Sequence, residues 1–249
     1  MSSTQIKGIL FDLGDTLLDF GRVDVLSLFE SGARQAYEYL KTHKLPLPPF
    51  AKYHRQQLWA IRWSYLKSRL TRREFNALDI IGRLSLRMGH DLTHQQTLEL
   101  AWLWYEPLGR CAKIEEGVLS MLEEFRVAGL TLGLVSNTFV PGEVIDRHLL
   151  KEGLLQYLPV RVYSCDVRWR KPNPSIFAAA LDQAGLKPGQ SLFVGDSLQC
   201  DIDGANHTGM ISVLKDPSDA HLNSSIQPRH RIRHLVELKD IVARYNGRP

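Results

Sequence analysis

The strongest constraint on the fold is an alternation along the chain. Short apolar runs over Ile6–Asp12, Thr131–Ser136, Val160–Tyr163, Ser191–Gly195 and Met210–Leu214 read as strands. Helical stretches over Val118–Val127, Glu143–Leu150 and Pro174–Ala184 precede the second, third and fourth of them. Short runs with little polar alternation suit strands buried on both faces. Strand and helix in repetition predict an α/β fold with a parallel sheet. Punctuation agrees: Gly129 follows the first of these helices, Pro174 opens the last, and Gly185 stands just past its end.

One block breaks the rhythm. From about residue 20 to 108 nothing alternates like a strand. Val23–Lys41 places Leu26, Phe29, Ala33, Tyr37 and Leu40 at helical spacings of three and four. The segment LPLPPF, Leu45–Phe50, then stops the helix with three prolines and makes a stiff extended link. Further helices are expected around Tyr53–Leu70, Arg72–Met88 and Thr93–Tyr105. They carry Trp59, Trp63, Trp102 and Trp104, which are expected to pack between helices. Arg62, Lys67, Arg69, Arg72 and Arg73 read as a solvated helix face. The expected organisation is a Rossmann-like core, residues 1–19 and 109–249, with an all-helical cap domain, residues 20–108, inserted after the first strand. An amphipathic helix over Arg231–Tyr245 closes the chain.

Composition removes several function classes. The net charge is +4 and no long Lys/Arg run occurs, so a nucleic-acid partner is not expected while an anionic substrate is permitted. Three cysteines without a CxxC spacing argue against a disulfide framework and a thiolate zinc site. No apolar stretch is long enough to span a bilayer, and MSSTQIKG carries no apolar signal core. The expectation is a cytoplasmic protein with reduced thiols.

Chemistry gathers where the strands end. In open parallel sheets, ligands bind beyond the carboxyl ends of the strands. The first run ends at Asp12, the second at Ser136-Asn137-Thr138, and the third leads on to Arg170-Lys171-Pro172. The fourth ends at Gly195-Asp196-Ser197, with Asp201 five residues after Asp196. Carboxylates, a hydroxyl and a lysine therefore meet at one sheet edge. Clustered carboxylates repel unless a cation neutralises them, and oxygen-only ligands suit Mg²⁺. A carboxylate also serves as a nucleophile that forms an aspartyl-phosphate. Lysine, hydroxyl and Mg²⁺ mask the repulsion between carboxylate and phosphate.

Four motifs carry a family resemblance. FDLGDTL, LVSNT, RKPNPSIF and VGDSLQCDIDGANHTGM, in that order, resemble the four motifs of the haloacid dehalogenase-like superfamily. The resemblance implies a Mg²⁺-dependent phosphatase acting on a small phosphorylated metabolite. In it, Asp12 is the nucleophile and Lys171 the stabilising cation. Ser136 binds phosphate, with Asn137 and Thr16 as further substrate contacts. Asp12, Asp196, Asp201 and the backbone carbonyl of Gly14 hold the metal. The helical block resembles a cap that closes over the site and shapes the substrate pocket.

One position departs from the family pattern. Phosphatases of this kind carry a second aspartate two residues after the nucleophile, as general acid and base. Here that position is Gly14, and Asp15 stands one place further on. Metal binding through a carbonyl survives a glycine, but either proton transfer passes to Asp15, a cap residue or an ordered water, or the substrate has a leaving group that needs little help. The departure also keeps open a catalytically weak or inactive binding protein. A 2-haloacid dehalogenase fits less well, because its chemistry needs no metal and the GDSLQCD acids are retained. A phosphomutase also fits less well, because it needs the missing acid/base.

Overall fold

A computed structural model describes residues 5–247. The outermost ends of the expected core segments, residues 1–4 and 248–249, lie outside the described residues. Six strands form one sheet: β1 (Gly8–Phe11), β2 (Thr131–Ser136), β3 (Val160–Tyr163), β4 (Ser191–Gly195), β5 (Ile211–Lys215) and β6 (His230–Ile232). Their order is β3-β2-β1-β4-β5-β6, and every neighbouring pair is parallel. The sequence GILF of β1 is buried throughout, as a strand paired on both sides requires. Strand order reverses between β1 and β4, which makes the crevice beyond their carboxyl ends the place for a ligand.

Four helices fill the interval between β1 and the rest of the core: α1 (Val25–Thr42), α2 (Phe50–Thr71), α3 (Ala77–Arg87) and α4 (His94–Gly109). Their starts are chemically marked. Asp24 accepts from the Leu26 and Ser27 N–H groups, Asn76 from Leu78 N–H, and Thr93 forms a capping box with Gln96. α1 and α4 cross closely because Gly32 has no side chain. A Cβ there would lie 2.5 Å from the Trp104 carbonyl oxygen.

The remaining helices are α5 (Val118–Val127), α6 (Gly142–Lys151), α7 (Ser164–Val167), α8 (Pro174–Ala184), α9 (Asp203–His207) and α10 (Leu238–Asn246). They cover both sheet faces. Ile9, Phe11, Leu134 and Val194 face one apolar layer, which continues into the helical block through Leu100, Ala101 and Trp102. Leu10, Val135 and Phe193 face the other, against Ile176 and Phe177 of α8.

The structure corrects three expectations. The C-terminal segment is not one helix: His230–Ile232 pairs with β5 as a sixth strand, and the α-helix begins only at Leu238, after a 3₁₀ turn over Leu235–Glu237. The expected helix from Arg72 begins instead at Ala77, because Arg72 takes a left-handed conformation (φ 55°) and residues 73–76 run across to the core. Trp102 packs in the core, but Trp59 and Trp63 on α2 are 68% and 63% exposed. Arg62, Lys67, Arg69, Arg72 and Arg73 are exposed, as expected. All three cysteines are free thiols. No described helix is long and apolar enough to cross a membrane.

Candidate active site

Asp12 stands one residue past β1. Its N–H donates to the Val194 carbonyl at 2.8 Å, so the strand ladder itself fixes the residue at the crevice. Lys171 comes from the loop between α7 and α8, and its Nζ donates to Asp12 Oδ1 at 2.5 Å. The same Nζ lies 2.7 Å from Asp201 Oδ1. Lys171 is 3% exposed and Asp201 fully buried. A π-helical turn, Leu198–Ile202, carries Asp201 back over the end of β4, where its Oδ2 accepts from Ser197 N–H at 3.0 Å. Gly195 makes that return possible, since a Cβ there would fall 2.4 Å from Asp201 Cγ.

The other expected residues take distinct places. Thr16 Oγ1 lies 3.4 Å from Asp196 Oδ1 and is bonded to it. Ser136 ends β2, buried, with no hydrogen bond to its hydroxyl among the described residues. Both amide atoms of Asn137 are engaged by Lys171: Nδ2 donates to its carbonyl at 3.1 Å and Oδ1 accepts its N–H at 2.8 Å. Asn137 thereby fixes the backbone from which the lysine projects. Asp15 occupies a left-handed conformation (φ 56°) at the tip of the turn, exposed, and it stands outside the carboxylate cluster.

Burial and charge set the protonation of this site. Burial alone would lower the Lys171 ammonium, but Asp12 and Asp201 outweigh it and hold it above its ordinary range. Burial raises Asp12, and Lys171 opposes the rise. Burial, with repulsion from Asp201 and Asp15, pushes Asp196 to about 6. Asp201 is likewise pushed to about 6 by burial, which the nearby lysine offsets only in part. Three carboxylates thus share one ammonium.

That imbalance is what a divalent cation relieves. Ligand atoms of Asp12, Asp196 and Asp201 all lie within 4.8 Å of one another. Asp201 Oδ1 is buried, with the Lys171 ammonium at 2.7 Å as its counter-charge. Among the described residues, no backbone or side-chain donor bonds the Gly14 carbonyl. A hard, all-oxygen donor set of three clustered carboxylates with a single ammonium to balance them fits Mg²⁺.

The comparisons with known proteins bear on this arrangement. The family model of haloacid dehalogenase-like hydrolases matches residues 6–209, both the helical block and the motif-bearing core. The chain belongs to the haloacid dehalogenase-like hydrolases. Among curated members, it is 34% identical to a glyceraldehyde 3-phosphate phosphatase of Methanopyrus kandleri over 96 residues, which is 39% of this chain and 40% of that enzyme. It is 24% identical to the N-acylneuraminate-9-phosphatase of Rattus norvegicus over 262 aligned positions, covering 96% of this chain and 94% of that one. A solved haloacid dehalogenase-like phosphatase of Thermococcus onnurineus superimposes with a TM-score of 0.61 at 26% identity, over 95% of this chain and 98% of that one.

Two supports of this haloacid dehalogenase-like site escaped the sequence reading. Lys215, at the end of β5, is 8% exposed and donates from Nζ to the Thr16 carbonyl at 2.9 Å, bracing the turn after Asp12. It obeys the same strand-end rule that found Asp12 and Asp196. Glu74, between α2 and α3, is 3% exposed and pairs with Arg170, the neighbour of Lys171. No local pattern marks that pair, because its members lie 96 residues apart.

Proposed function

We propose that this chain is a Mg²⁺-dependent phosphatase for a small phosphorylated compound, working through an aspartyl-phosphate on Asp12. The observation that carries the reading is Lys171 Nζ held between Asp12 at 2.5 Å and Asp201 at 2.7 Å, at the β1/β4 crevice. A buried ammonium there lowers the repulsion between nucleophile and phosphate and stabilises charge as the phosphoryl group transfers. In the first step an Asp12 carboxylate oxygen attacks phosphorus. The P–O bond to the alcohol breaks, and the leaving oxygen takes the electron pair and then a proton. In the second, water attacks the same phosphorus, phosphate leaves, and the Asp12 carboxylate is restored. Ser136 Oγ holds a phosphoryl oxygen, and Asn137 keeps Lys171 in place. Asp12, Asp196, Asp201 and the Gly14 carbonyl would hold Mg²⁺, which would supply further charge neutralisation. Residues 20–108 act as a cap over this centre, and the relatives named as phosphatases support the reaction class.

Gly14 favours one second reading, a binder with little turnover, because it removes the side chain that usually protonates the leaving group. General acid/base help contributes typically about 10²–10⁴-fold, so its loss slows such an enzyme without silencing it. Hydrolysis of p-nitrophenyl phosphate, whose leaving group needs no proton, separates the two. Turnover that requires Mg²⁺ and disappears in Asp12→Asn supports the phosphatase. A folded protein that binds Mg²⁺ yet turns over no faster than Asp12→Asn supports the binder.

A further inference from the structure

Residues 44–73 contain no aspartate or glutamate. Within them α2 carries Lys52, Arg55, Arg62, Lys67 and Arg69, and Arg72 follows it. All of these are exposed, and among the described residues none forms an ion pair. Elsewhere on the surface Arg34, Arg126 and Arg147 each hold a glutamate.

The same helix leaves an apolar stripe uncovered. Trp59, Trp63, Leu66 and Leu70 follow one another at spacings of four, three and four, which places them on one side of a helix. They are 68%, 63%, 49% and 78% exposed. Arg55, Arg62 and Arg69 recur every seven residues, close to two turns apart, and so run along one edge of the stripe. The buried residues of α2 are Tyr53, Gln57 and Ser68, which lie on a different side of the helix. Next to the stripe, Trp59 and Trp63 share an open recess of about 530 Å³ with Leu84, Arg87 and Met88.

Exposed apolar side chains rimmed by charge mark a contact surface. Its partner must be anionic, because every charge on α2 is positive. A second copy on this stripe would set two acid-free helices against each other, like charge on like. Tryptophan beside arginine matches the boundary of a bilayer, where the indole is half wetted and the guanidinium meets lipid phosphate.

We propose that α2 docks on an anionic membrane surface, lying in the headgroup layer with Trp59, Trp63, Leu66 and Leu70 turned towards the acyl chains. The contact is peripheral. It is independent of the chemistry at Asp12 and stands or falls apart from the phosphatase reading.

The test is flotation of the full chain with phosphatidylcholine vesicles, either pure or containing about one-third phosphatidylglycerol. Binding should require the anionic lipid and fall as salt rises from about 0.1 to about 0.5 M. Arg55→Gln/Arg62→Gln/Arg69→Gln should weaken it by roughly 100-fold, at about fivefold per charge. Trp59→Ala/Trp63→Ala should weaken it by about tenfold or more with no charge lost. Because these side chains are exposed, both variants should melt like the wild type. A charge-matched control, Lys7→Gln/Lys187→Gln/Arg229→Gln, removes exposed cations at the amino ends of β1, β4 and β6. It should float nearly as well as the wild type.

Equal loss in the control and the arginine variant would mean adsorption of a basic protein, and overturns the proposal. Binding indifferent to the two tryptophans overturns it as well. So does a protein that leaves anionic vesicles alone. In that case, a dimer in sedimentation that Trp59→Ala/Trp63→Ala dissociates gives the stripe to a second copy, and a monomer gives it to an acidic protein partner.

Discussion

Glu74 and Arg170 form a buried ion pair that ties the helical block to the loop bearing Lys171. The Glu74 side chain is fully buried and that of Arg170 only 19% exposed. Both Glu74 oxygens have further partners: Ser68 Oγ donates to one at 2.9 Å and Ser164 Oγ to the other at 3.1 Å. Around them the connector residues bond the core directly, through Glu74 N–H to Arg168 O and Ala77 N–H to Phe139 O. Phe75 stacks on Phe139 at 5.0 Å. The helical block is therefore anchored one residue away from the lysine that faces Asp12.

Removing one partner leaves the other charged and buried. Glu74→Ala is expected to cost about 3–5 kcal/mol of stability, because Arg170 keeps its charge without a partner. Glu74→Gln retains one acceptor oxygen and offers an N–H to the other serine hydroxyl, so it should cost less. Urea denaturation of the two variants checks both the size and the order.

Gly14 has room for the aspartate that its relatives' pattern places there. A Cβ would meet nothing nearer than Phe20 Cε2 at 3.8 Å, and the residue is not among those with positive φ. Gly14→Asp should fold normally and raise turnover of alkyl phosphates by about 10²-fold, within the range of general acid/base help. Hydrolysis of p-nitrophenyl phosphate should change little. The ratio of the two rates is the readout, with Gly14→Ala as the control.

At Gly195 a side chain has nowhere to go. Its Cβ would lie 2.4 Å from Asp201 Cγ, so Gly195→Ala must displace Asp201 from Lys171. The expected loss is about 1–3 kcal/mol of stability, together with weaker Mg²⁺ binding. Thermal melts across a Mg²⁺ titration measure both.

His148 gives the protein an acid-side sensitivity away from the active site. It is 2% exposed, and burial holds its imidazole below the ordinary value of 6.5, although Glu152 opposes this. Lys151 acts in the same direction as burial. Above that value both folded and unfolded states hold it neutral. As pH falls below it, the unfolded chain takes up a proton that the folded chain resists, so stability declines. His148→Gln should lose less stability than wild type between pH 7 and pH 5.5. Chemical denaturation at the two pH values reads the difference.

Much of this architecture is legible in the sequence, for reasons that also explain the gaps. β1 to β5 announce themselves because strands of a covered parallel sheet are continuous apolar runs. β6 does not, since its three residues, His230–Ile232, lie at the sheet edge and only Ile232 is buried. Asp12, Ser136 and Asp196 are found by where strands stop, and Lys215 was available to the same argument. Trp59 and Trp63 show what periodicity leaves open: it predicts a helix, but not which of its faces meets a neighbour. The Glu74–Arg170 pair depends on how the helical block seats on the core, which no local pattern encodes.

The central claim is covalent chemistry at Asp12. The most direct test quenches the enzyme during turnover of p-nitrophenyl phosphate with Mg²⁺, reduces it with borohydride, and sequences the peptide containing residue 12 by mass spectrometry. Reduction of an aspartyl-phosphate leaves homoserine in place of aspartate, and the account predicts homoserine at position 12, dependent on both substrate and Mg²⁺. Sustained turnover with unmodified Asp12, undiminished in Asp12→Asn, would contradict it.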